Sequence, residues 1–106
     1  MSALEDRLVW QLKTLGLPVP EREGRLIPGR RFRCDLYWPA NRLVVEVDGG
    51  TFVQGRHSRG AGQAADAEKG NLLVLLGWRV LHVTTPHVRT GQAARWIEQA
   101  LTGGTP

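Results

Sequence analysis

The sequence predicts an α/β domain, a mixed sheet of about four strands covered by helices in the order α-β-β-β-α-β-α. Three observations carry this expectation. Leucines recur at helical spacing near the N-terminus. Two strand-like segments flank the short turn Pro39-Ala40-Asn41-Arg42, as in a β-hairpin. A helical segment and another apolar strand follow, a succession that suggests a crossover into a parallel pairing. With 106 residues, 42% of them hydrophobic, one compact domain spanning residues 1–106 is expected.

The elements follow in order. Ser2-Ala3-Leu4-Glu5 has the S-x-x-E form of a capping box. Leu4, Leu8, Leu12 and Leu15 form one helical stripe, which Gly16 and Pro18 end. Residues 17–23 read as a polar connection, and Arg25 to Ile27 as a short strand stopped by Pro28-Gly29. From Phe32 to Trp38 the chain alternates, with Phe32, Cys34, Leu36 and Trp38 on one face. Leu43 to Asp48 is the next strand. Thr51 to Gly62 is a glycine-rich, basic loop. Ala64 to Leu76 has helical spacing and stops at Gly77. Trp78 to Thr84 is a strand broken by Pro86. Thr90 to Leu101 is an amphipathic helix with Ala93, Ile97 and Leu101 on one stripe. Residues 102–106 read as a frayed tail. Trp10, Trp38, Trp78 and Trp96 are expected in the core or at helix contacts.

Composition narrows the function classes. No apolar run approaches the ~20 residues needed to span a bilayer, so no membrane partner is expected. Glu5, Asp6 and Arg7 argue against a secretory signal. Cys34 is the single cysteine, which excludes an internal disulfide and a four-cysteine zinc site. An intracellular, cytoplasmic location is expected. The net charge is +4, and every basic residue except Lys13 and Lys69 is arginine. Arginine grips phosphate bidentately, which points to nucleic acid. A GC-rich codon bias would give the same excess.

The stretch VVEVDGG, Val44 to Gly50, sets two carboxylates in a valine-rich strand, where a charge is costly unless paired. If the hairpin turns about Ala40-Asn41, residues whose numbers sum to 81 are opposed. Asp35 then faces Glu46, and Arg33 faces Asp48. Opposed Cβ atoms lie ~4.5–5.5 Å apart, and like charges there destabilise a sheet. A divalent cation would reverse that sign. Magnesium suits such a place, because it takes one or two carboxylates and completes its shell with water and phosphate oxygens. The alternative is an exposed acid pair with Arg33 neutralising Asp48.

The run RFRCDLYWPANRLVVEVDGG, from Arg31 to Gly50, resembles the PD-(D/E)XK nucleases. It looks most like small phage and bacterial members related to very-short-patch-repair endonucleases and Holliday-junction resolvases. The segments GRHSRG (Gly55 to Gly60), DAEK (Asp66 to Lys69) and LGWRVL (Leu76 to Leu81) extend the resemblance over nearly the whole chain. It implies a restriction-endonuclease-like fold and hydrolysis of DNA phosphodiester bonds with Mg2+, for which Mn2+ can substitute. It also implies a bacterial, phage- or prophage-encoded origin and no nucleotide cofactor.

Residue by residue, the resemblance makes Asp35 and Glu46 the metal-binding acids, with the Val47 carbonyl completing the shell. Asp48 stands where many members carry the catalytic lysine. It is then a further ligand, or the lysine role has moved, and Lys69 is the best migrant. Glu5 matches a first-helix acid of resolvase-like relatives; its plainer role is the cap partner of Ser2. His57 would orient the attacking water or simply be a solvated loop residue. Arg31, Arg33, Arg56 and Arg59 would hold the DNA backbone or form a solvated basic surface. Lys69 has a local alternative, a pair with Asp66. His82 reads as structural, and His87 has no context. Nicked, mismatched, branched and plain duplex DNA all remain open as substrates, and a four-way junction would call for a homodimer. Two rivals stand beside the nuclease: an inactive DNA-binding module of the same fold, and an interaction domain whose acids are surface ion-pair partners.

Overall fold

The computed structural model describes residues 2–49 and 61–103. Helix α1 spans Ala3–Thr14. Ser2 caps it, its Oγ accepting the Glu5 N–H at 3.1 Å. Glu5 and Asp6 in the first turn and Lys13 in the last complement the helix dipole. Leu8, Val9 and Leu12 are buried, and Gly16 turns the chain at φ +74°.

Strand β1 is Glu21–Gly24 and β2 is Cys34–Trp38. They pair antiparallel, with Glu21 opposite Tyr37, Arg22 opposite Leu36 and Gly24 opposite Cys34. The first strand thus lies earlier than the expected Arg25 to Ile27. An edge strand forms by backbone pairing, and Glu21–Gly24 carries no apolar signal of its own. Gly24 leaves room for the Tyr37 ring, which a Cβ there would approach to 2.4 Å.

A 3₁₀ turn at Pro39–Asn41, with Arg42 at φ 51°, reverses the chain into β3, Leu43–Asp48. Leu36 faces Val45, Tyr37 faces Val44 and Trp38 faces Leu43, the register expected from the turn. Helix α2, Ala61–Leu75, leads to β4, Arg79–Thr84. Gly77, at φ +92°, separates them. Strands β3 and β4 run parallel, from Leu43 beside Arg79 to Asp48 beside Thr84. The sheet order is β1-β2-β3-β4. The fold is α/β, a four-stranded mixed sheet flanked by helices.

A short helix α3, Thr85–Arg89, was not expected; Pro86 starts it instead of only breaking the strand. Helix α4 covers Gln92–Thr102, so Thr102 is helical, and residues 104–106 of the expected tail lie outside the described residues. Among the described residues no helix is long and apolar enough to cross a membrane.

Central strand β3 is buried on both sides, with Leu43, Val44 and Val45 fully covered. This explains the valine run. One face joins Leu36, Trp38, Leu43, Val45 and Val83 to Leu8 and Leu12 of α1, Val88 of α3 and Ile97 of α4. The other gathers Ile27, Cys34, Val44 and Trp78 around Leu73 of α2. Cys34 and Phe32 belong to this second cluster, not with Leu36 and Trp38 as the alternation suggested. The β2–β3 ladder runs only from Trp38 to Leu36, and beyond it side chains replace backbone pairing. Trp38 and Trp78 are buried and Trp96 packs against the larger core, but Trp10 is 65% exposed.

Candidate functional site

The site lies where the β2–β3 ladder ends. Asp35 donates its backbone N–H to Glu46 Oε2 at 2.9 Å. Val47 donates its N–H to Asp35 Oδ2 at 2.8 Å. Each carboxylate thus accepts an amide proton from the facing strand. This eases the like-charge contact expected of the pair, since a hydrogen bond to the ionised form stabilises it. Val47 enters through its N–H, while its side chain packs against the larger core.

The second element is α2. It follows the segment 50–60 and carries Lys69 over the sheet. The Lys69 ammonium meets Glu46 Oε1 and the Arg33 carbonyl oxygen. Both partners are well covered, their side chains 18% and 10% exposed. The local alternative, a pair with Asp66, is not what engages it. Lys69 of α2 therefore stands beside the acid pair.

The third element is α1. A Cβ on Gly49 would lie 3.0 Å from Leu4 Cδ2, so the glycine lets α1 approach the end of β3. Glu5, next to Leu4, is buried at 7% exposure. Its Oε1 has no hydrogen-bond partner among the described residues. Burial raises the carboxyl above its ordinary value, and the Asp35 charge raises it further. Only the backbone of Glu5 serves the Ser2 cap; the carboxyl is left over.

Asp48 is half-buried, and burial raises its carboxyl above the ordinary value. His82 opposes this, with Nδ1 3.6 Å from Asp48 Oδ2. The expected partner is not used: Arg33 Nη1 lies 3.5 Å from Glu23 instead. His82, read as structural, is exposed beside an acid of the site. The parallel β3–β4 register, which sets Glu46 beside His82, brings it there. No local pattern signals that pairing. His87 stands apart, its Nδ1 accepting the Thr84 N–H at 3.0 Å and capping α3.

Arg31 and Arg33 are exposed on the approach to β2. His57, Arg56 and Arg59 lie outside the described residues. Cys34 borders the site, but burial, with Glu46 adding to it, pushes its thiol up to about 11. It stays protonated at neutral pH and is a poor nucleophile.

Among the described residues no group of three or more His, Cys, Asp or Glu is gathered as a metal cage. The donors are nonetheless hard oxygens. Asp35 and Glu46 are joined by hydrogen bonds, and Glu5 presents a buried oxygen without a partner. Such a set fits a magnesium ion that keeps most of its waters and takes one or two carboxylates. Comparison of the chain with protein-family models, with curated proteins and with solved structures found no match.

Proposed function

We propose that the chain is a divalent-metal-dependent DNA endonuclease that hydrolyses phosphodiester bonds, built on a restriction-endonuclease-like arrangement of the sheet. The observation that carries this reading is Lys69 on Glu46, beside Asp35. Two acids and a lysine are the groups the resemblance to PD-(D/E)XK nucleases requires, and the lysine absent at position 48 has a substitute in space.

Asp35 and Glu46 would hold the ion, with Glu5 and Asp48 as nearby acids. Bound there, magnesium would supply a Lewis acid for the charge developing on the phosphate. The chain's own residues do the rest. The hydrogen bonds donated by the backbone N–H groups of Asp35 and Val47 fix the rotamers of the two carboxylates. Lys69 brings a positive charge to where an anionic phosphate would approach. Arg31 and Arg33 are exposed and available to the DNA backbone. The net charge of +4 favours that encounter.

The test is nicking of supercoiled DNA in magnesium by the wild type, Glu46→Ala and Lys69→Met. Loss of about a hundredfold or more in each variant is expected. Nicked, mismatched and branched substrates, run side by side, would assign the substrate. Second-order behaviour on a four-way junction would reveal a working homodimer.

The second reading is an inactive nuclease-fold DNA-binding module. It is favoured by Lys69 already neutralising Glu46 and by the lack of a three-residue cage among the described residues. It predicts DNA binding without cleavage in either magnesium or manganese.

A further inference from the structure

Both acids of the pair are already engaged through at least one oxygen. Glu46 Oε2 is turned to the Asp35 N–H, and Asp35 Oδ2 to the Val47 N–H. On Glu46, Oε1 is the oxygen left for a cation, and the Lys69 ammonium sits on it. The same ammonium is anchored a second time, on the Arg33 carbonyl. Its stem comes from the middle of α2, so the contact is set by helix packing and not by a mobile chain end.

We infer that Lys69 is a built-in cation that occupies the ion position on Glu46 Oε1, beside Asp35, and that a divalent metal binds Glu46 only by displacing it. The inference rests on the metal-site reading above. Its physical basis is exclusion. An ammonium and a metal ion on one carboxylate oxygen repel each other strongly in a well-covered site, where charges are weakly screened. Lys69 therefore has two positions: on Glu46 when the metal is absent, and off it when the metal is bound. The lysine stabilises the paired acids in the metal-free protein, where they would otherwise repel. It also lowers the affinity of the site for the ion that replaces it.

A lysine that only stands near the site would repel the ion through its charge but would not have to leave Glu46 when the ion binds, so the position of the lysine itself must also be read. The experiment is a titration of manganese(II) into the wild type, Lys69→Met and Lys69→Gln without DNA, with free ion read by its paramagnetic resonance signal. Both variants are expected to bind manganese at least about fivefold more tightly, the lower end of ordinary coupling between sites. Equal or weaker binding by the variants, with measurable binding by the wild type, overturns the displacement while leaving the nuclease reading intact. Absence of binding by all three overturns both. The wild type supplies a check that needs no variant: magnesium should shift the NMR resonances of the Lys69 ε-methylene. Saturation with magnesium that leaves them unmoved also overturns the displacement.

Discussion

Lys69 of α2 holds Glu46 of β3 across 23 positions of sequence, and the two side chains are among the best-covered charged groups at the site. Removing one partner strands the other away from water. Lys69→Met is therefore expected to lower stability by about 2 kcal/mol, less than a fully buried pair because both groups keep some solvent. Adding Glu46→Gln to that variant should restore part of the loss. Urea denaturation of both single variants and the double checks this; simple additivity would show that the pair is not coupled.

Glu5 carries a pH signature. Its carboxyl is raised in the folded chain, by burial first and by Asp35 second. The folded protein therefore holds the proton to higher pH than the unfolded chain, whose ordinary value is 4.5. The stability this provides is complete below that value and is lost as pH rises through the raised one. Glu5→Gln removes the titration. The variant should gain on the wild type as pH rises from about 4 to 7 in thermal melts. A difference independent of pH would contradict the assignment.

The Asp48 carboxyl is raised, by burial first, and His82 opposes that shift. In His82→Ala the raising influences remain, burial first and then the Asp35 and Asp66 charges. The Asp48 carboxyl should then titrate at higher pH than in the wild type, as followed by carbon-13 NMR of the side chain. An unchanged titration would mean that the 3.6 Å contact carries no interaction in solution.

Gly24→Ala tests the edge of the sheet. The new methyl would meet Cε1, Cζ and Oη of Tyr37 at 2.4–2.5 Å. Tyr37 would be driven from its edge-on contact with Trp78. A loss of about 1–3 kcal/mol is expected from such overpacking. Denaturant unfolding measures it, and a cost below ~0.5 kcal/mol would show that the ring yields freely.

What the sequence determined by itself is what acts over a few residues. The Ser2 cap and leucine spacing specify α1. The Pro39–Asn41 turn sets the hairpin register, and through it the meeting of Asp35 and Glu46. The strand–helix–strand succession announced the parallel pairing of β3 with β4. Tertiary structure alone decided the rest. Strand β1 exists because β2 offers a free edge, not because Glu21–Gly24 favours extension. Trp10 is left outside because the helix face opposite Leu8 and Leu12 meets no sheet. Lys69 reaches Glu46, and His82 reaches Asp48, only once α2 has crossed the sheet and β4 has taken its place. Periodicity and turns are local energies written in neighbouring residues. The charge pairs at the site depend on how whole elements pack, which no short stretch of sequence contains.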